Sequence, residues 1–146
     1  MELVLKDIEF GSEEYEMTRD LRNRIMRAPI GLSIYDQDYT FEVNSRIVGA
    51  FDGDTMLGCS IVGKMNGLYC LDFLCVDGRL QKTGIGTVLL KDVEKWVKEV
   101  GGKEIILEAR LTAQKFYEKH GYEPYGEIYL MEKSPVDHIM MRKNLN

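Results

Sequence analysis

Hydrophobic and polar positions change their period along the chain, and the first third predicts a strand followed by a helix. The alternating run Leu3–Ile8 indicates a first strand. Ser12 can cap a helix that begins at Glu13, and Pro29 is expected to end it. The next stretch, Ile30–Phe41, mixes aromatic and acidic side chains without a clear period, which suits a binding loop or a short second helix.

Three apolar, strand-like runs occupy the middle of the chain: Ile47–Phe51, Met56–Val62 and Leu68–Val76. Turn signals separate them, because Gly53 and the pair Asn66-Gly67 favour the left-handed backbone that tight hairpins need. The last run is apolar on both faces except for Asp72, which predicts a central strand buried on both sides. Strict alternation would place Asp72 on the face of Cys70 and Leu74, opposite Phe73 and Cys75.

The second half switches to a helical period and then alternates strand and helix. An amphipathic helix is predicted from Ile85 to the pair Gly101-Gly102. The later elements are a strand, a short helix and a terminal strand: Glu104–Ala109, Thr112 (as the cap) to His120 before Gly121, and Val136–Arg142. The order β-α-(α)-β-β-β-α-β-α-β-β predicts an α/β (α+β) fold with a mixed, mostly antiparallel sheet, one parallel crossover and flanking helices.

The composition restricts the class of protein but does not indicate which reaction or ligand is involved. The 146 residues carry 45% hydrophobic side chains and a net charge of −5, and no linker or repeat divides them, so one domain, 1–146, is expected. The acidic charge argues against nucleic acid as a partner. Neither a signal peptide nor a membrane span is visible, so we expect a cytoplasmic protein. Three cysteines and two histidines make a Cys/His metal cluster unlikely to form, and no metal site is predicted.

The segment Gln81–Thr87 lies between the buried strand and the amphipathic helix and is the most specific feature of the sequence. Gly84 and Gly86 allow a sharp turn and a close backbone approach, and the helix start offers unpaired N–H groups with a positive dipole end. This combination suits a phosphate or pyrophosphate. A Walker loop would need Gly-Lys-Ser/Thr, and a dinucleotide fingerprint would need glycine where Leu89 stands. The alternative is a tight turn that holds no ligand.

The pattern Gln81-x-x-Gly84-x-Gly86 after a buried strand resembles the first motif of the GNAT superfamily of N-acetyltransferases. Downstream, Ala113-Gln-Lys-Phe-Tyr-Glu-Lys-His-Gly-Tyr122 resembles the A-x-x-F-Y-x-K-x-G-F segment of that family. The two motifs cover Leu71 to Tyr122, and the predicted element order fits the family over the whole chain. The tail from Gly126-Glu127 through Val136–Met141 is similar to the ElaA-like branch.

The resemblance implies an acetyl-CoA cosubstrate bound where the central strand splays from its parallel neighbour. The implied cofactor contacts are the strand backbone and the glycine loop: Leu74, Cys75, Val76, Gln81, Lys82, Thr83, Gly84, Ile85, Gly86 and Thr87. The side chain of Lys82 either adds charge toward a phosphate or is solvated. Where the family often carries asparagine, this chain has Arg110, which either contacts the cofactor or forms a salt bridge elsewhere.

The implied reaction is direct attack of a primary amine on the thioester, which needs an oxyanion donor, an acid and a base. A backbone N–H near Cys75 or Val76 is the family-like oxyanion donor. Tyr117 matches the tyrosine acid, and its alternative role is to pack a helix onto the sheet. Asp72 is the first candidate for the base, and its alternatives are a buried ion pair or an exposed strand position. Weaker candidates for the base are Asp36, Asp38, Glu108 and His138.

The acceptor is expected to meet Tyr35, Asp36 and Asp38, because the family shapes its acceptor pocket in this region. Their negative charge would attract a cationic amine, on a small molecule or a peptide. A homodimer is also plausible from the resemblance. The alternative function is a non-catalytic acyl-CoA-binding module that has lost acetyl transfer.

Overall fold

The computed structural model describes residues 2–146, and its strands form one seven-stranded sheet in the order β1-β2-β3-β4-β5-β7-β6. The strand bounds in chain order are β1 Val4–Asp7, β2 Arg46–Asp52, β3 Thr55–Met65, β4 Leu68–Val76, β5 Glu104–Arg110, β6 Glu123–Leu130 and β7 Asp137–Asn144. Every neighbouring pair is antiparallel except β4–β5, which is parallel. The predicted mixed, mostly antiparallel sheet is confirmed.

Three helices flank the sheet: α1 Glu13–Met26, α2 Ile85–Glu99 and α3 Gln114–Lys119. Short 3-10 turns occupy five further segments: Ala28–Ile30, Ile34–Asp36, Thr40–Asn44, Gly78–Leu80 and Leu111–Ala113. Within residues 2–146, no helix is both long enough and apolar enough to cross a membrane.

The two faces of the sheet bury separate clusters, and the alternation along β4 assigns each helix to a face. Phe73 and Cys75 pack with side chains of α1. Leu71 and Leu74 pack on the opposite side, with side chains of α2. Since fully burying one large apolar side chain contributes about 1.5–3 kcal/mol, these clusters fix the helices on their faces. β4 thus lies at the centre of the sheet, as predicted.

Local boundaries differ from the predicted ones where capping or exposure decides them. The helix α1 ends at Met26, and Pro29 lies inside a 3-10 turn rather than at the helix end. Thr112 does not cap α3: it lies in the turn before the helix, which begins at Gln114 without a side-chain cap. The strand β6 is an exposed edge strand with an irregularity between Tyr125 and Tyr129, so its sequence carries no clear alternation.

Candidate active site

The parallel strands β4 and β5 separate partway along their length. Their ladder holds three pairs only: Tyr69 with Ile105, Cys70 with Ile106 and Leu71 with Leu107. Beyond these pairs, β4 continues to Val76 against β3, and β5 continues to Arg110 against β7. We call the opening between the diverging strands the fork. The edge of β4 along the fork offers unpaired backbone groups to a ligand.

A tight loop connects β4 to α2 beside the end of the fork. Asp77 caps the Gly78–Leu80 turn by accepting a hydrogen bond from the Arg79 N–H at 3.0 Å. The backbone then takes positive φ angles at Lys82 (+74°) and at Gly84 (+91°). Gly84 adopts its positive φ at no steric cost, since glycine has no Cβ. The loop therefore leads into the first turn of α2 through a left-handed backbone conformation that glycine favours.

Most backbone N–H groups of this loop and of the first turn of α2 lack a partner within residues 2–146. They belong to Gln81, Lys82, Gly84, Ile85, Gly86 and Thr87. Thr83 differs, because its N–H and its hydroxyl both donate to the carbonyl of Leu80. Unpaired N–H groups at a helix N-terminus and the helix dipole both favour an anion. The loop therefore fits a phosphate or pyrophosphate group.

Helix α3 packs directly against the first turn of α2. A Cβ placed on Gly86 would lie 3.4 Å from the Phe116 ring, at van der Waals distance, so the two helices approach each other closely at this glycine. The His120 Nδ1 atom lies 2.8 Å from the Phe116 carbonyl and is therefore its donor. In the neutral imidazole, Nε2 then accepts from the Thr87 hydroxyl at 3.1 Å. These contacts fix the position of α3 and therefore the position of Tyr117, which belongs to this helix.

Tyr117 of α3 lies buried in the apolar cluster that also contains side chains of α2 and β5, with 8% of its surface exposed. Its ring packs against Phe116 and Tyr122, at centroid distances of 5.2 and 5.7 Å. Burial, and then the nearby thiol of Cys75, raise the pKa of the phenol above its usual value. The thiol of Cys75, on the β4 segment along the fork, is thus near enough to influence the phenol, which keeps its proton at neutral pH.

The predicted face of Asp72 is only partly correct, because β4 carries a bulge at this residue. The register against β3 shifts between Leu71 and Phe73, so strict alternation is broken. Leu74 packs on the α2 side, whereas Phe73 packs on the α1 side. The nearest charges to Asp72 are those of the α1 side, so Asp72 shares its face with Cys70 and Phe73 and not with Leu74.

Asp72 has no hydrogen-bond or ion-pair partner within residues 2–146, so the alternative of a buried ion pair is excluded for the part described. Asp72 is instead an exposed position of β4, as the second alternative predicts, although nearby protein atoms still desolvate its carboxylate. Desolvation by those atoms, followed by the charges of Glu42 and Glu108, raises the pKa of Asp72 to about 7. Arg22 and Lys133 oppose this shift. A carboxylate with this pKa can accept a proton near neutral pH.

Glu108 stands beside Asp72, at the first position of β5 beyond the last ladder pair. Its carboxylate accepts a hydrogen bond of 2.6 Å from the hydroxyl of Tyr129 on β6. Tyr129 was not predicted as a site residue, since the exposed strand that carries it has no clear period. The two carboxylates therefore occupy neighbouring strands at the closed end of the fork.

The three predicted acceptor residues lie in the segment between α1 and β2, and all three are exposed. The ring of Tyr35 stacks under Arg19, with 4.7 Å between the guanidinium carbon and the ring centroid. Asp38 accepts hydrogen bonds from the backbone and hydroxyl of Thr40, which lower its pKa. None of Tyr35, Asp36 and Asp38 contacts Asp72 or Tyr117 among the described residues.

A different residue of this segment, Glu42, connects it to the fork. The Glu42 carboxylate is fully buried and receives two hydrogen bonds from Arg22, at 2.8 and 3.0 Å, and one from the Tyr15 hydroxyl at 2.7 Å. Arg22 in turn stacks on Phe73, 4.7 Å from the ring centroid. The sequence held one signal for this network, since Arg22 continues the buried stripe of α1 that Thr18 begins.

Arg110 is the last residue of β5, and within residues 2–146 it does not form the salt bridge that was one of its two predicted roles. Its guanidinium donates to the carbonyl of Met26 and to the Ser134 hydroxyl, the latter at 2.9 Å. Burial, followed by the charge of Arg27, lowers its pKa. His138, a weaker candidate for the base, is buried and bonded through Nδ1 to the carbonyl of Val136 at 2.7 Å.

Comparison with known proteins agrees with this geometry. The family described as "Acetyltransferase (GNAT) domain" matches residues 32–145. The uncharacterized N-acetyltransferase YjcF of Bacillus subtilis is 28% identical over 103 residues, which cover 70% of this chain and 73% of that protein.

Two solved structures share the fold across nearly the full chain. An aminoglycoside 6'-N-acetyltransferase complexed with coenzyme A is 19% identical, covers 98% of this chain and 97% of its own, and superposes with a TM-score of 0.80. ElaA of Escherichia coli is 18% identical, covers 97% of this chain and 99% of its own, and gives a TM-score of 0.79. The prediction from the two sequence motifs is confirmed: the chain belongs to the GNAT superfamily of N-acetyltransferases.

Proposed function

We propose that the chain transfers the acetyl group of acetyl-CoA to a primary amine, by direct attack within a ternary complex. Family membership supports acyl transfer from a CoA thioester. The main observation in support of the proposal is that three features lie close together at the opening between β4 and β5. The fork, the loop of unpaired N–H groups, and the pair Asp72 and Tyr117 all lie around the C-terminal half of β4.

The glycine loop is suited to hold the pyrophosphate of acetyl-CoA, whose contribution to the chemistry is an activated thioester. The free N–H groups of the loop and of the first turn of α2 would bind the phosphate oxygens, and the helix dipole adds to their attraction. The side chain of Lys82 is exposed beside them and can add charge. The open edge of Leu74, Cys75 and Val76 would pair with the amide groups of the pantetheine arm.

Transfer of the acetyl group requires a donor for the developing oxyanion, and the edge of β4 can provide one. A backbone N–H near Cys75 or Val76 is held by the sheet and needs no reorganisation when charge develops. Tyr117 is then the acid for the departing thiolate. The same burial that raises the phenol pKa also raises the pKa of a thiol in that pocket, as it does for Cys75, so proton transfer between the two stays feasible.

The amine must lose a proton, and Asp72 is the residue best suited to accept it. A primary amine is mostly protonated at neutral pH, since its pKa is about 10. Asp72 has a pKa of about 7 and no competing partner within residues 2–146, so its ionised form is free to bind the ammonium and then take the proton. The exposed carboxylates Asp36 and Asp38 add negative charge on the acceptor side, which favours a cationic acceptor.

Replacement of Gly84 by alanine tests the cosubstrate site, and Gly101 provides a matched control at the other end of α2. Both glycines have almost the same φ, +91° and +89°, and a Cβ at either position meets no atom within 4 Å. Each substitution therefore costs a similar strain, roughly 1–2 kcal/mol. Only Gly84→Ala turns the N–H groups of the loop away from the phosphates.

We expect Gly84→Ala to weaken acetyl-CoA binding at least about tenfold, which is 1.4 kcal/mol, in isothermal titration calorimetry. Gly101→Ala should bind acetyl-CoA with the affinity of the unmodified chain, although both variants melt at lower temperature. Equal affinities in the two variants would contradict the assignment of the loop.

A further inference from the structure

The charged groups that influence the pKa of Asp72 come from several elements, and two of them, Glu42 and Arg22, neutralise each other. The α1 side contributes Glu42 and Arg22, β5 contributes Glu108, and the connection from β6 to β7 contributes Lys133. On β4 itself the nearest titratable group is the thiol of Cys70, whose pKa burial and the charges of Asp72 and Glu108 raise to about 11.

Glu42 carries little net charge toward Asp72, because Arg22 pairs with it in bidentate geometry at 2.8 and 3.0 Å. Lys133 forms no ion pair within residues 2–146. Its ammonium donates to the carbonyl of Asp38 at 2.5 Å and lies over the ring of Tyr39, 4.2 Å from the centroid. Both partners are uncharged, so Lys133 keeps its positive charge and opposes the effect of Glu108 on Asp72.

Glu108 differs from Glu42 because no cation pairs with it within residues 2–146. The single hydrogen bond to its carboxylate comes from the neutral hydroxyl of Tyr129, at 2.6 Å. That bond holds the carboxylate in place and leaves its negative charge intact.

The strand register brings Asp72 and Glu108 to equivalent positions on neighbouring strands, just beyond the last ladder pair. In a parallel ladder, residues at equivalent positions share a face, and the last pair is Leu71 with Leu107. Asp72 and Glu108 are the next residues on each strand. The thiol of Cys70 responds to both charges, which agrees with their common location. The negative charge of Glu108 therefore disfavours the ionisation of Asp72.

We propose that Glu108, held by the Tyr129 hydroxyl, is a positioning residue that acts through Asp72 and sets the pH above which the chain transfers the acetyl group. The inference rests on the proposed role of Asp72 as the base. Glu108 itself needs no contact with either substrate. Its carboxylate keeps the proton on Asp72 to higher pH, so that Asp72 becomes a stronger base when it ionises.

Carboxyl ¹³C NMR of the chain without substrates directly tests the electrostatic effect of Glu108 on the titration of Asp72. The Asp72 signal is identified by its loss in Asp72→Asn. In Glu108→Gln, which keeps an acceptor for Tyr129 and removes the charge, we expect the titration midpoint of Asp72 to fall by about 0.5–1 pH unit. The matched control is Glu104→Gln, which removes a carboxylate from the same face of β5 at the end away from the fork and should leave the midpoint unchanged.

The pH profile of kcat/KM adds a second readout that a merely structural role would not move. We expect its acidic limb to shift to lower pH in Glu108→Gln by the same amount as the NMR midpoint. In Tyr129→Phe, the Glu108 carboxylate loses the donor that holds it in place, so we expect the Asp72 midpoint to fall by less than in Glu108→Gln. An Asp72 midpoint that is unchanged in Tyr129→Phe would remove Tyr129 from the proposal.

Failure of the inference and failure of the proposed function give different results. An Asp72 midpoint that is the same in Glu108→Gln and in the unmodified chain overturns the inference, whatever the enzyme assay shows. If the midpoint moves but Asp72→Asn retains full acetyl transfer, Asp72 is not the base, and the claim that Glu108 sets the pH of the reaction falls with it.

Discussion

Asp72→Asn is expected to lower kcat/KM for the amine about 10²–10⁴-fold, the range typical of a lost general base. The amide has the shape of the carboxylate but cannot accept the proton of the ammonium. Its neighbours do not substitute for it, since Glu108 is bonded to Tyr129 and Glu42 to Arg22. Steady-state kinetics with a fixed acetyl-CoA concentration and varied amine provide the measurement.

Unfolding experiments separate this loss of activity from a loss of folding. The pKa of Asp72 is raised in the folded chain relative to the unfolded chain, where an ordinary aspartate titrates near 3.9. The folded state therefore binds more protons than the unfolded state between about pH 4 and 7, and the free energy of unfolding falls as pH rises through that window. Above pH 7, Asp72→Asn should be more stable than the unmodified chain. A variant that is stable and fully active would exclude Asp72 as the base.

Tyr117→Phe is expected to lower kcat about 10²–10⁴-fold while the affinity for acetyl-CoA stays nearly constant. Only the phenolic oxygen is removed, and it has no hydrogen-bond partner within residues 2–146, so the packing against Phe116 and Tyr122 remains. Turnover is measured from free CoA, and affinity is measured by calorimetry on the same preparations.

Tyr122→Phe is the matched control for Tyr117→Phe. Tyr122 belongs to the same aromatic cluster, but its hydroxyl donates to Glu94 at 2.8 Å, on the side of α2 and away from the fork. This variant should lose some stability and keep its turnover. Equal turnover in Tyr117→Phe and the unmodified chain would remove Tyr117 as the acid and leave it a packing role only.

The fold was predictable from the sequence because the central strands and α2 are buried in a regular way. The bounds of β4, Leu68–Val76, follow directly from its apolar run, and α2 begins at the predicted Ile85. Edge elements were harder to predict. Since β6 is exposed on both faces, no hydrophobic period marks it.

The candidate site was predictable only in part, because its key contacts join distant segments. The glycine loop is a local motif, and its turn at Gly84 has the expected positive φ. The bulge at Asp72 depends on the pairing of β4 with β3, so alternation alone gave the wrong partners for its face. The contact of Tyr129 with Glu108 joins residues 21 positions apart and depends on β7 lying between their strands.

Release of free CoA from acetyl-CoA, followed over a panel of primary amines, tests the central proposal most directly. The panel should span aminoglycosides, polyamines, amino acids and lysine-containing peptides, with Gly101→Ala as the active control and Asp72→Asn as the inactive one. We predict amine-dependent CoA release with at least one cationic amine, with a rate that rises as pH passes about 7. Tight binding of acetyl-CoA without amine-dependent release across the panel would contradict the proposal and identify the chain as a non-catalytic acyl-CoA-binding module.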